Sequence, residues 1–125
     1  MNKYTGSFDI TLTPCKSDVV EAGRMIIEKH YKGDLQGIGR GQMLSSRSHT
    51  EGSAGYVAIE TFEGSLHGKM GTFTLLHKGI MNRGDKTLKI TIVPDSGSGE
   101  LTGIIGNMTI DIAEDVHYYD LMVEL

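Results

Sequence analysis

Apolar residues recur at every second position over most of this chain, and that period restricts the fold more than any other feature. In Ser7–Pro14, Phe8, Ile10 and Leu12 alternate with Asp9, Thr11 and Thr13. Leu88, Ile90 and Ile92 repeat the pattern, and so do His117, Tyr119, Leu121, Val123 and Leu125 against Tyr118, Asp120, Met122 and Glu124. A period of two places one set of side chains on one face of a β-strand, which is the signature of a half-buried sheet.

Turn residues divide the chain into eight such runs: 7–14, 24–32, 36–48, 56–62, 69–81, 88–94, 100–112 and 117–125. Gly33-Asp34, Asn82-Arg83-Gly84-Asp85 and Asp95-Ser96-Gly97-Ser98-Gly99 are turn sequences between them. Gly55–Met81 reads as a hairpin broken at Glu63-Gly64-Ser65. A short helical turn is expected at Asp18–Glu21. Within 100–112, Leu101, Gly103 and Ile105 are odd-numbered whereas Met108, Ile110 and Ile112 are even-numbered. One inserted residue near Gly106-Asn107, a β-bulge, would keep all six on one face. Gly37, Gly39 and Gly41 strip one face of the third run of side chains. Such a face implies a bend that closes a barrel, or close approach by a bulky neighbour, a ligand or another subunit. Eight strands with polar turns predict an all-β fold, a closed eight-stranded antiparallel β-barrel forming one domain over 1–125. A sandwich is the alternative.

Composition excludes several functions. Twelve basic and 16 acidic side chains give a net charge of -4, with no Lys/Arg cluster, which argues against nucleic acid. One cysteine, Cys15, cannot build a disulfide framework or a multi-thiolate metal site. It reads as an incidental loop thiol. No two of the five histidines stand two apart, so no metal site and no cofactor are expected. No apolar run approaches the roughly 20 residues of a membrane helix, and the polar N-terminus lacks a signal core. The expectation is a cytoplasmic protein with no membrane partner.

The second half resembles a family of small uncharacterised bacterial proteins, a domain of unknown function with the allene oxide cyclase type of barrel. The resemblance rests on Gly71-Thr72-Phe73-Thr74-Leu75-Leu76-His77-Lys78-Gly79, on Thr91–Leu101, on Gly103-Ile104-Ile105-Gly106 and on His117-Tyr118-Tyr119. It implies a lipocalin-like eight-stranded barrel with a central cavity, often in an oligomer. It supplies no catalytic residues.

Alternation orients the candidate site. Leu121 and Val123 face inward, and so His117 and Tyr119 do too. Phe73 and Leu75 take His77 inward with them. On 56–62, both faces are plausible interiors: Tyr56, Ala58, Glu60 and Phe62, or Val57, Ile59 and Thr61. If Glu60 is inward, His77 is its natural cross-strand partner and the two form a candidate acid/base couple. Glu28 and His30 share a face with Arg24 and Lys32, which reads as surface. The expected cavity is lined by Phe73, Leu75, His117, Tyr119, Leu121 and Val123, with Glu60 and His77 as candidate catalytic groups. It would hold a small apolar or lipid-like ligand. An isomerase or cyclase, and a non-catalytic structural domain, are the alternatives. Outward apolar residues such as Leu76, Ile80 and Met122 predict a homodimer.

Overall fold

A computed structural model describes residues 1–16 and 23–125. The expected turn at Asp18–Glu21 lies outside them. The strands are β1 (Asn2–Cys15), β2 (Gly23–Gly33), β3 (Leu35–Arg47), β4 (Ala54–Leu66), β5 (Lys69–Asn82), β6 (Asp85–Ile92), β7 (Ser98–Gly99), β8 (Ile105–Ala113) and β9 (Val116–Glu124). Their order is β4-β3-β2-β1-β9-β8-β6-β5-β7, and β4 also pairs with β5. That last pairing closes eight strands into an antiparallel barrel, with the two-residue β7 clipped to β5 at Gly71 and Thr72. Each of the eight strands is thus paired on both sides, although β6 and β8 share only two rungs, Ile90 with Met108 and Thr91 with Asn107.

Several boundaries differ from the sequence reading: β1 begins at Asn2 rather than Ser7, β4 extends to Ala54–Leu66 and β6 shifts to Asp85–Ile92, and two further differences bear on how the strands connect. The β4–β5 hairpin turns at His67-Gly68, both at positive φ, rather than at Glu63-Gly64-Ser65. Gly64 stays in the ladder because it lies between Gly37 and Gly71, and any side chain there would strike the Gln36 carbonyl. The predicted run 100–112 is not one strand. Leu101 and Ile104 are buried from a turn, Ile105 faces out, and β8 starts only there. The odd-to-even change therefore marks the passage from a covering loop to a strand, and no bulge is needed.

The barrel has two unlike ends. The base carries the β2–β3 and β4–β5 turns and the long connection from Val93 to Ile104. Leu35, Leu66, Leu101 and Ile104 are fully buried there. Among the described residues, the mouth carries the β3–β4 connection at 48–53 and the two-residue turns Arg83-Gly84 and Glu114-Asp115, and the inward-facing Leu12 and Ile112 are 43% and 62% exposed. On the outer wall, Leu44, Val57, Ile59, Leu76 and Ile80 stand exposed, whereas Met122 is half-buried. No helix in the described residues is long and apolar enough to cross a membrane.

Candidate functional site

Directly opposed residues of neighbouring strands share a face, so the pairing registers sort the inner wall into rows. From mouth to base, three of them are Met25-Met43-Ala58-His77-Ile90, Ile27-Gly41-Glu60-Leu75-Ile92 and Lys29-Gly39-Phe62-Phe73. Glu60 thus faces inward, with Ala58 and Phe62. Its direct partner is Leu75, and that of His77 is Ala58. The two meet on the diagonal instead, with His77 Nε2 2.9 Å from Glu60 Oε1.

Glu60 has two further partners that sequence reasoning missed. Lys29 Nζ lies 2.9 Å from the same Oε1, and the Tyr31 hydroxyl donates a short hydrogen bond to Oε2. Lys29, Glu60 and His77 are 3%, 0% and 4% exposed. Lys29 also sits 4.7 Å above the Phe8 ring, so its charge has a carboxylate on one side and a π-face on another.

The alternating glycines make this assembly possible. Lys29 and Tyr31 are on β2 and Glu60 is on β4, with β3 between them. A side chain at Gly39 would strike the Glu60 carboxylate and crowd the Tyr31 ring. One at Gly41 would strike the backbone of β4 at Ile59. The bare face of β3 is thus a passage through which two strands' polar groups join. Of the alternatives the sequence left open, bulky neighbours and a close backbone account for it.

The electrostatics follow from this geometry. Burial alone would raise the Glu60 pKa. The hydrogen bond from His77, the Lys29 charge and the hydrogen bonds from Tyr31 and Lys29 outweigh it and bring the carboxyl down to about 2. An ionised carboxylate only accepts, so His77 Nε2 carries the proton it donates. Burial first, then the Glu60 charge and hydrogen bond, push the Tyr31 hydroxyl well above its ordinary range. Among the described residues, every buried side-chain nitrogen and oxygen has a hydrogen-bond partner.

The expected ligand-lining residues take other positions. Phe73, Leu75, Leu121 and Val123 are fully buried and pack on one another's neighbours in the core cluster. They fill the interior where a central cavity was expected. The Tyr119 hydroxyl accepts from the Leu35 N–H at 2.8 Å and donates to the Lys32 carbonyl at 2.9 Å, which ties β9 to the β2–β3 turn. Burial, first among its influences, takes that hydroxyl up to about 12. His117 is half-buried, its ring 5.2 Å from that of Phe8. Glu28 lies on the outer face, 3.3 Å from both His30 and Arg40. Cys15 ends β1, half-buried. Among the described residues no group of three His, Cys, Asp or Glu side chains could hold a metal ion.

Hollows of about 360–480 Å³ open at several places on the surface, including one beside Val123 and Gly103 and one beside the β2–β3 and β4–β5 turns; the one with the most apolar wall lies toward the mouth. A pocket of about 400 Å³ is lined by Met25, Met43, Tyr56, Gly79, Met81 and Leu88, with Arg47 and Lys86 at its outer margin. Gly79 is needed there, because the Tyr56 ring occupies the space a side chain would take. The next row inward contains His77, so the charged cluster lies just beneath the pocket floor.

Comparison with known proteins agrees with this architecture. No curated protein matches the chain. A crystal structure of a protein of unknown function from Shewanella oneidensis MR-1, of the DUF3224 family, superposes with a TM-score of 0.96 at 42% identity. The match covers 100% of this chain and 97% of that one. The family model described as "Protein of unknown function (DUF3224)" matches residues 4–123, and the chain belongs to that family.

Proposed function

We propose that this protein is a binding module that holds a small, largely apolar molecule in the mouth pocket. The observation that carries the reading is the pocket itself. Its volume of about 400 Å³ falls within the roughly 300–1,000 Å³ typical of small-molecule sites, and its apolar wall, with Met25, Met43, Tyr56, Ile80, Met81 and Leu88, is bordered by Ser45, Ser46, Thr87, Arg47 and Lys86. Methionine is flexible and polarisable, and it suits a surface that must accommodate ligands of varied shape.

The buried cluster argues for binding rather than acid/base turnover. A general base works best with a pKa near the working pH. Glu60, held at about 2 by three donors, is a poor base, and His77 Nε2 is committed to it. In this reading the cluster is a rigid polar girder beneath the pocket, and it fixes the spacing of β2, β4 and β5.

The test uses the neutral dye N-phenyl-1-naphthylamine, which fluoresces in apolar surroundings. Saturable one-to-one binding is expected. The pocket-filling substitution Ala54→Trp should weaken it at least tenfold, because Ala54 lines the pocket. Absence of saturation, or indifference to Ala54→Trp, would sink the reading.

A further inference from the structure

We infer that the mouth pocket selects an organic acid, its apolar body against Met25, Met43 and Met81 and its acidic head group between Arg47 and Lys86. This rests on the reading of the pocket as a binding site and adds the class of ligand. The argument begins with register. Arg47 pairs with Ala54, Ala54 with Met81, and Met81 with Lys86, so the four form one row across β3, β4, β5 and β6. Residues in one row share a face, and Met81 lines the pocket. Both cations therefore belong to the inner face of the mouth rather than to the outer wall.

Their spacing suits one head group. Three strand separations of about 4.8 Å put their backbones roughly 14 Å apart, with only Ala54 and Met81 between. Two long, flexible side chains reach across that gap from opposite sides. Asp85, the acidic neighbour of Lys86 in sequence, alternates to the opposite face.

Charge context strengthens the point. Arg47 and Lys86 are in none of the ion pairs among the described residues, a state they share with Arg24, Lys69, Lys78, Arg83 and Lys89; what sets them apart is that they line an apolar pocket together. The chain as a whole is acidic at -4. Two cations facing an apolar pocket on such a surface give a local attraction for an anion beside an apolar wall.

The experiment compares two dyes of the same ring system with the full chain at low ionic strength. One is neutral N-phenyl-1-naphthylamine; the other is 8-anilinonaphthalene-1-sulfonate, which adds one negative charge. The sulfonate is expected to bind roughly 3- to 10-fold more tightly, the range for an exposed ion pair or two. That ratio should fall toward one in Arg47→Gln/Lys86→Gln and in 1 M NaCl, where screening acts within about 3 Å. Decanoate should displace the neutral dye at lower concentration than 1-decanol does. If the neutral dye binds but the ratio is one or less, or if the double substitution leaves the ratio unchanged, the organic-acid assignment is overturned while the pocket reading stands. If neither dye saturates, the pocket reading itself fails and this inference falls with it.

Discussion

The base and the mouth of the barrel are built from the same alternating strands, yet one is sealed and the other open. The difference lies in the connections. At the base, the segment from Val93 to Ile104 folds across the end and delivers Leu101 and Ile104 into the core, both fully buried. At the mouth, among the described residues, the turns at Arg83-Gly84 and Glu114-Asp115 have two residues each, and the β3–β4 connection at 48–53 is hydrogen-bonded to the first of them and delivers no buried side chain. Inward-facing residues toward this end, such as Met43 and Met81, remain half-buried. The barrel thus buries its apolar side chains completely at one end and keeps its apolar-walled pocket at the other. The Lys29-Glu60-His77-Tyr31 cluster stands between the two, where a fault would be felt by both.

The largest expected effect comes from breaking that middle layer. Glu60→Ala leaves the Lys29 charge buried without its carboxylate, and removing one partner of a buried pair costs about 3–5 kcal/mol. Urea denaturation should show the loss. The double substitution Lys29→Met/Glu60→Leu should recover most of it, since an apolar pair of similar volume often replaces a buried ion pair without penalty. A single variant as stable as the parent would mean that the layer does not hold the ends together.

At the base, Leu101→Ala should cost about 3 kcal/mol, within the range for a fully buried leucine whose site cannot collapse. A loss below 1 kcal/mol would mean that the covering segment is dispensable and the two ends are less different than their burial implies.

Acid should weaken the middle layer selectively. The Glu60 carboxyl is depressed from an ordinary 4.5 to about 2 in the folded chain. Its contribution is fully present above about pH 4.5 and disappears as the pH falls through about 2. A gap of about 2.5 pH units at ~1.4 kcal/mol each corresponds to roughly 3 kcal/mol. The stability difference between the parent and Glu60→Gln should therefore shrink across that window. A difference that stays constant from pH 5 to pH 2 would contradict the geometry.

Tyr119→Phe is a smaller test of the sealed end. It leaves the Leu35 N–H and the Lys32 carbonyl without their hydroxyl partner, for about 1–3 kcal/mol. Hydrogen exchange at Leu35 should accelerate. An unchanged rate at that amide would show that the β2–β3 turn does not depend on β9.

Alternation made the barrel legible, because a period of two survives whatever the strands pack against. Strand membership of Phe8, Ile90, Leu121 and Val123 follows from it directly. The site was less legible. Glu60 lies among Ala58, Phe62 and Tyr56, and the opposite face of Val57, Ile59 and Thr61 is equally apolar, so local pattern cannot choose between them. The signal that could have chosen is on another strand. Lys29 shares its face with Met25, Ile27 and Tyr31, a lone cation among apolar residues just as Glu60 is a lone anion. Two such anomalies of opposite sign predict each other if a passage joins them, and the side-chain-free face of Gly37, Gly39 and Gly41 is that passage. The pocket could not be placed for a different reason. Period two says which residues face inward but not which rows are capped, and capping depends on how the Val93–Ile104 connection folds back.

Met43→Ala is the smallest expected perturbation of stability and the sharpest probe of the contrast between the ends. Met43 is only half-buried and borders open space, so its truncation enlarges an existing cavity instead of creating one. About 1 kcal/mol or less is expected, well under the cost at Leu101. The effect on ligand should run the other way. Met43 supplies part of the apolar wall, and its loss should weaken N-phenyl-1-naphthylamine binding several-fold, whereas Leu101→Ala, at the far end, should weaken binding only as far as it lowers the folded fraction. Measuring both variants by denaturation and by dye titration gives a two-by-two comparison. A base variant that costs stability and spares affinity, set against a mouth variant that spares stability and costs affinity, is what an asymmetric barrel requires. Equal losses in both columns would mean that the two ends act as one packed unit and that the mouth is merely a less tidy part of the core.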